Sequence, residues 1–248
     1  MKNLTELANY HCTDKGTEGP NGSGHYYTDI YEALFYSFRH QPINVLEIGL
    51  GVKGENVDVK IVKGRNKGGA SIKMWHDYFT NAKIFGIDLN EASWLENDRI
   101  KTFQLDQGSV SDLQSFISHN KEIKFDIIID DGSHLPHHQQ ISLSLLFNRL
   151  KKGGFYIIED LLENDLEVNN KMILNTREIL KNINKNQKLL QNHSLLNKEE
   201  LIENIAHINF YVRQSIIKHQ YSGSLRKPLG SKLYYLEGKE KLCVIRKK

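Results

Sequence analysis

Residues 125–134 read Phe-Asp-Ile-Ile-Ile-Asp-Asp-Gly-Ser-His (FDIIIDDGSH), and this stretch decides the fold. A short apolar run that stops at two acids and a glycine is the pattern of a strand buried on both faces of a parallel sheet. Upstream, Asn44–Ile48 (NVLEI) stops at Gly49-Leu50-Gly51, Ile84–Leu89 (IFGIDL) forms a second strand and Ile100–Leu105 a third. Downstream, Phe155–Ile158 (FYII) closes on Glu159-Asp160. Helical stretches fall between them at about 71–79, at 112–119 with Ser111 as N-cap, and at about 136–150. The last is expected to stop at Lys151-Lys152-Gly153-Gly154, where cations and glycines suit a helix C-terminus. Strands alternating with helices over 44–160 predict βαβ units, right-handed crossovers and an α/β fold with a doubly wound, mostly parallel sheet.

Outside this core, Thr13–Gly24 is loop-like. Tyr27, Ile30, Tyr31, Leu34, Phe35 and Phe38 form a helical stripe within Tyr26–Arg39. Residues 52–69 are rich in Lys, Gly and Asn and predict an inserted loop. Residues 163–205 predict helices, with a solvated face near 181–198, and 208–217 predicts a strand. The pair 232–236 and 241–246, joined at 237–240, predicts two antiparallel terminal strands. With no linker or repeat in view, the expectation is one domain over 1–248: an N-terminal lid and helix (1–42), a binding core (43–160), then a helical insertion and terminal strands (161–248). The chain has 248 residues, 39% of them hydrophobic and 25% charged, enough for a real core. Its net charge of +3 carries no dense basic block before the last ten residues, which argues against nucleic acid as a partner. Cys12 and Cys243 make neither a disulfide framework nor a Cys-rich metal site. No apolar run has the length to span a bilayer, and the opening MKNLTELANYHC lacks a secretory h-region, so a cytoplasmic protein without membrane partners is expected.

In an open parallel sheet, ligands bind beyond the carboxyl ends of the strands. Here five successive strand ends close on acids: Glu47, Asp88, Asp106-Gln107, Asp130-Asp131 and Glu159-Asp160. Glu47-x-Gly49-x-Gly51 permits close backbone approach to a ligand but is not the pyrophosphate fingerprint G-x-G-x-x-G; it also fits a tight turn in any α/β protein. Asp88 stands where ribose hydroxyls are bound, or where an acid caps a loop. Together the two motifs suggest an adenosine ligand without a diphosphate. Asp131, Glu159 and Asp160 on adjacent strand ends repel one another unless a cation compensates, and all-oxygen donors favour Mg²⁺, Mn²⁺ or Ca²⁺; helix caps or lysine pairs are the alternative. His134, three residues beyond Asp131, is placed to act as a general base. An iron site from His134, His138 and one acid is the competing reading. The stretch His11–Tyr31, with Asp14, Lys15, Thr17, His25, Tyr26, Tyr27 and Thr28, suits either a lid over a polar ligand or a solvated tail.

The order TDKGT…HYYTDIYEALF, VLEIGLG, GGASIKMWHDYF, IFGIDL, FQLDQGS, FDIIIDDGSH and GGFYIIEDL resembles the metal-dependent sugar O-methyltransferases typified by the mycinamicin and macrocin enzymes, with cephalosporin-hydroxylase-like proteins as relatives. The likeness covers about residues 8–165. It implies a Rossmann-like class I S-adenosylmethionine fold and a single enzyme activity, O-methylation of a sugar hydroxyl. Carried over, the cofactor side comprises Glu47, Gly49, Gly51 and Ser71 towards the methionine and ribose, Asp88 at the ribose hydroxyls, Asp106 and Gln107 near the adenine, and Asp130. Asp131, Glu159 and Asp160 would hold Mg²⁺ or Mn²⁺, with His134 the catalytic base beside Asp131. Composition rich in Lys, Asn and Ile points to an AT-rich genome. The expected acceptor is therefore a nucleotide-activated sugar for capsule or lipopolysaccharide, its diphosphate met by Lys15 or Arg226. The alternatives are a natural-product glycoside as acceptor, an iron hydroxylase, or a non-catalytic cofactor-binding subunit. A homodimer or homotetramer is expected.

Overall fold

The computed structural model describes residues 2–19, 24–53, 67–186, 196, 199–216 and 234–248. β1 (Asn44–Ile48), β2 (Lys83–Asp88), β3 (Ile100–Gln104), β4 (Phe125–Asp130) and β5 (Leu150–Ile158) run parallel. β6 (Leu166–Val168) and β7 (Lys171–Ile173) form a separate antiparallel ribbon. β8 (Ile205–Ile216) and β9 (Tyr234–Lys247) extend the main sheet, giving the order β3-β2-β1-β4-β5-β9-β8 with β9 antiparallel to both neighbours. The chain leaves β1 towards β2 and β3, then returns to the other side of β1 as β4. That reversal opens a crevice at the carboxyl ends of β1 and β4.

Strand alternation sorts the core into two layers. Val45, Ile127, Ile129, Phe155 and Ile157 face α1 (Leu4–His11), α2 (Tyr27–Phe35) and α3 (Ala70–Tyr78). Leu46, Ile48, Ile128, Tyr156 and Ile158 face α4 (Val110–His119), α5 (Pro136–Leu146), α6 (Thr176–Asn186) and α7 (Glu199–Glu203). Burial on both faces is why these strands read as unbroken apolar runs. The chain starts with a helix for which no element was expected: Asn3 accepts from Glu6 N at 2.8 Å and Glu6 from Asn3 N at 2.9 Å, a capping box closing α1. Glu32 on α2 then accepts Leu4 N at 2.7 Å, locking α1 to α2.

Several local expectations are corrected. Ser109, not Ser111, caps α4, its hydroxyl accepting Asp112 N at 3.2 Å. α5 ends at Leu146 and a single 3₁₀ turn follows. Lys151-Lys152-Gly153-Gly154 therefore lies inside β5, where Gly153 adopts φ +73° beside a register shift against β4. Residues 163–205 hold the β6–β7 ribbon as well as helices, and β9 runs through 237–240 without a turn because β8 pairs along it, with three register shifts between the two strands. The inserted loop lies outside the described residues over 54–66; its ends are tied by Lys53 N to Lys67 O at 3.2 Å and Gly69 N to Leu50 O at 2.7 Å. Much of 181–198 and all of 217–233, Arg226 included, also lie outside the described residues.

Phe35 joins α2 to the sheet through rings of Tyr31, Trp75, Phe79 and Phe155, with centroids 5.4–6.2 Å away, and is fully buried. Phe35→Ala is expected to lower stability by about 3–5 kcal/mol, seen in urea unfolding as a lower midpoint at unchanged slope.

Candidate active site

A cleft of about 1060 Å³ opens beyond the carboxyl ends of β1, β2 and β4. Its floor is set by one close approach. Asp131 N donates to Ile48 O at 2.9 Å, and a Cβ on Gly49 (φ +87°) would stand 2.1 Å from the Asp131 carbonyl oxygen. Only glycine fits there. Asp88 accepts Leu50 N at 2.8 Å and Val52 N at 3.3 Å on one oxygen and Asn90 N at 2.8 Å on the other. It thus lines the cleft and braces the glycine loop, retaining lone pairs for further donors. Gly51, Ser71, Asp106 and Gln107 line the same cleft, Asp106 accepting Gly108 N at 2.7 Å.

Two residues expected at the cofactor do not line the cleft. Asp130 points to the α4–α5 face, where it accepts Gln107 Nε2 at 2.7 Å and the Ser142 hydroxyl; Gln107 in turn accepts Ser133 N at 3.1 Å. Glu47 points the other way, fully buried, and accepts Ser71 Oγ at 2.8 Å and Trp75 Nε1 at 3.1 Å. Both are interior positions of strand ends, so alternation turns them into the packed layers and makes them supports for the residues that do line the cleft.

The sharpest electrostatic feature is Lys15. Its side chain has no exposed surface, and its ammonium donates to Asp131 and to Glu159 Oε1 (2.8 Å) and stands 3.6 Å from Glu47 Oε1. Burial alone pushes such an amine down, but the carboxylates of Asp131, Glu159 and Glu47 hold it well above its ordinary range. One ammonium faces three acids, and the surplus shows in them. Burial pushes Glu47 up to about 7 against Lys15 and its hydrogen bonds, and burial together with Asp131 pushes Glu159 well up. Lys15 is therefore not on the surface to meet a diphosphate.

Asp131, His134 and Asp160 each bring one donor atom into a group whose members lie within 4.8 Å of one another. The expected trio had Glu159 in place of His134. Glu159 instead continues the β5 alternation into the α2–α3 layer, where Lys15 and Tyr31 donate to Oε1, while Asp160 at φ +47° leaves the strand and swings back to the cleft. Oε2 of Glu159, which is 1% exposed, is buried without a partner, as is Nδ1 of His134. Unused oxygen and imidazole donors beside excess negative charge fit a hard or borderline divalent ion. His138 is not in the group; its Nδ1 lies 2.8 Å from Ser133 Oγ, so the His134–His138 iron set is not assembled among the described residues.

The N-terminal stretch carries more of the site than its composition suggested. His11, Cys12, Thr13, Asp14 and His25 line the cleft, Tyr27 donates to Asp160 Oδ1 at 2.7 Å and Tyr31 donates to Glu159. Tyr27 and Tyr31 belong to the apolar stripe of α2, and the signal that sets them apart is two phenols at i and i+4 on one face.

No family profile matches the chain. Curated relatives are the 8-demethyl-8-(2-methoxy-alpha-L-rhamnosyl)-tetracenomycin-C 3'-O-methyltransferase of Streptomyces olivaceus, 41% identical over 158 residues, and the mycinamicin VI 2''-O-methyltransferase of Micromonospora griseorubida, 35% identical over 158. Each match takes in 64% of this chain and 36% of the relative, so the chain spans about a third of the length of the curated relatives it matches. Among solved structures, the MycE methyltransferase in complex with Mg, SAH and mycinamycin VI superposes with a TM-score of 0.67 at 25% identity, over 99% of this chain and 53% of that one. Among the described residues, no helix is long and apolar enough to cross a membrane. By these matches, the chain is similar in sequence, over 64% of its length, to enzymes named as O-methyltransferases, and in fold, over 99% of its length, to a methyltransferase solved with Mg and SAH.

Proposed function

We propose that this chain carries the methyl-transfer site of an enzyme that moves a methyl group from S-adenosylmethionine to a hydroxyl of a sugar on a small-molecule glycoside. The observation that carries the reading is a single crevice holding both halves of such a site. The glycine loop lies on one side, and the Asp131–His134–Asp160 group lies across the close contact of Gly49 with Asp131. The glycoside acceptor is favoured by relatives whose names specify a sugar already attached to a larger scaffold, a rhamnosyl tetracenomycin-C or an olivosyl-oleandolide. The nucleotide-sugar expectation, for capsule or lipopolysaccharide, is not favoured: Lys15 is committed to buried acids, and none of the curated relatives is named for such an acceptor.

Gly49, Gly51, Ser71, Asp88, Asp106 and Gln107 hold the donor, with Glu47 and Asp130 fixing Ser71 and Gln107 from behind. Asp131 and Asp160 would hold the divalent ion, and Glu159, outside this group, supports it from behind through Lys15. When bound, S-adenosylmethionine supplies a methyl group activated on sulfonium, and Mg²⁺ or Mn²⁺ supplies Lewis acidity that lowers the pKa of the acceptor hydroxyl and orients it. His134 takes the hydroxyl proton at its unpartnered Nδ1, and the carboxylates of Asp131 and Asp160 stabilise the resulting imidazolium.

S-adenosylhomocysteine at about 100 times its Kd is expected to stabilise the protein by about 2.7 kcal/mol, a rise in Tm of about 5–10 °C. No shift at saturation would remove the methyl-donor reading. His134→Ala is expected to lower turnover by about 10²–10⁴-fold while binding of S-adenosylhomocysteine and Mn²⁺ stays within a few-fold of wild type; loss of Mn²⁺ binding would make His134 a ligand instead. With radiolabelled donor, methylation is expected on rhamnosyl and deoxyhexosyl glycosides. Methylation confined to nucleotide-sugars would reverse the acceptor assignment.

A further inference from the structure

The three acids expected at the ion are each gripped by a donor from the same stretch of chain. Lys15 donates to Asp131 and to Glu159, Tyr31 donates to Glu159, and Tyr27 donates to Asp160. Lys15 and the two tyrosines form one unit. Lys15 O accepts Thr28 N at 3.1 Å and Gly16 O accepts Tyr26 N at 3.1 Å, so the lysine is stitched to the start of α2, and Tyr27 and Tyr31 follow on successive turns of that helix. All three side chains are essentially inaccessible. The two phenols, one helical turn apart, reach two consecutive acids that leave β5 in opposite directions.

We infer that Lys15 and Tyr27 are positioning residues that form an outer shell for the ion site, each gripping one carboxylate of the Asp131–His134–Asp160 group, while Tyr31 holds Glu159 behind it. The two grips fall on the two carboxylates of the group, Lys15 on Asp131 and Tyr27 on Asp160, and Glu159, which also accepts from Lys15, lies outside it. Partners of this kind fix carboxylate orientation, and removing one typically costs about 10–100-fold in metal affinity. The N-terminal segment and the ion site are then energetically coupled, and docking of α2 is part of what makes the cluster competent to bind. This inference rests on the metal-dependent reading proposed above.

The test is Mn²⁺ binding to the full chain, followed by electron paramagnetic resonance, for wild type, Tyr27→Phe and Tyr31→Phe. Each substitution deletes one hydroxyl and keeps the ring in the core. Affinity for Mn²⁺ is expected to fall at least about tenfold in Tyr27→Phe and to stay within twofold in Tyr31→Phe, whose hydroxyl meets Glu159 outside the group, with affinity for S-adenosylhomocysteine unchanged in both. Retained S-adenosylhomocysteine binding also shows that the variants fold. A purely structural role for Tyr27 would lower Tm and leave Mn²⁺ affinity of Tyr27→Phe within twofold of wild type, and that result overturns the inference alone. Failure of the wild type to bind Mn²⁺ would instead overturn the metal reading, and this inference with it.

Discussion

The contact on which the rest of the structure depends is the buried ammonium of Lys15 among Glu47, Asp131 and Glu159. Buried charges are tolerated only when paired, and breaking such a cluster by removing one partner costs about 3–5 kcal/mol. Lys15 joins three separate strand ends to a segment more than a hundred residues distant from two of them, so the N-terminus is a wall of the cleft and not a tail. The arrangement is also deliberately incomplete in charge. One ammonium against three carboxylates, with Asp160 close by, leaves excess negative charge next to donors that have no protein partner. A chain optimised only for stability would gain by replacing these acids with apolar residues of similar volume. Their retention in a crevice at the sheet's switch point is the physical signature of a binding site.

The parts of the fold visible in the sequence were those governed by periodicity. β1, β2, β4 and the end of β5 are apolar runs because both faces are covered, and their order follows from helices between them. What periodicity could not reveal was set by single hydrogen bonds. Ser109 and Ser111 are equally good caps by type, and only the helix start at Val110 distinguishes them. Lys151-Lys152-Gly153-Gly154 has the composition of a helix stop, yet pairing with β4 draws it into β5. α1, ahead of the loop-like stretch, carries its signal in Asn3 and Glu6 at capping-box spacing.

For the site, strand ends located the right neighbourhood but not the direction of each side chain. Gly49, Ser71, Asp88, Asp106, Gln107, Asp131, His134 and Asp160 reach the cleft, whereas Glu47, Asp130 and Glu159 turn into the layers behind it. Reading alternation through to the last residue of each strand separates the two sets: Glu47 and Glu159 share the face of Val45 and Ile157, and Asp130 shares that of Ile128 and Ile158. Lys15, Tyr27 and Tyr31 stayed hidden for a different reason. A lysine in a glycine-rich loop and phenols in an apolar stripe are ordinary in type, and their role emerges only when the tertiary fold sets them against acids 116–144 residues away.

Alternation alone would send Glu159 and Asp160 to opposite layers and leave Asp131 with no second carboxylate in the cleft. The backbone avoids this by a local irregularity. Asp160 adopts φ +47° and His134 φ +61°, left-handed conformations that cost a non-glycine residue about 1–2 kcal/mol each, less for short polar side chains that tolerate them. The two departures lie on loops after neighbouring strands, and together they bring a carboxylate and an imidazole back over the sheet edge to meet Asp131. Strain of this kind persists only where surrounding contacts over-determine it. Here those contacts are visible: Tyr27 grips Asp160, Leu161 N donates to Lys241 O at 3.0 Å just beyond it, and the Ser133 backbone preceding His134 is fixed by Gln107 and, through it, by Asp130. The buried supports and the strained residues are thus two halves of one device, the first holding the second in a geometry that neither strand pairing nor intrinsic preference would choose.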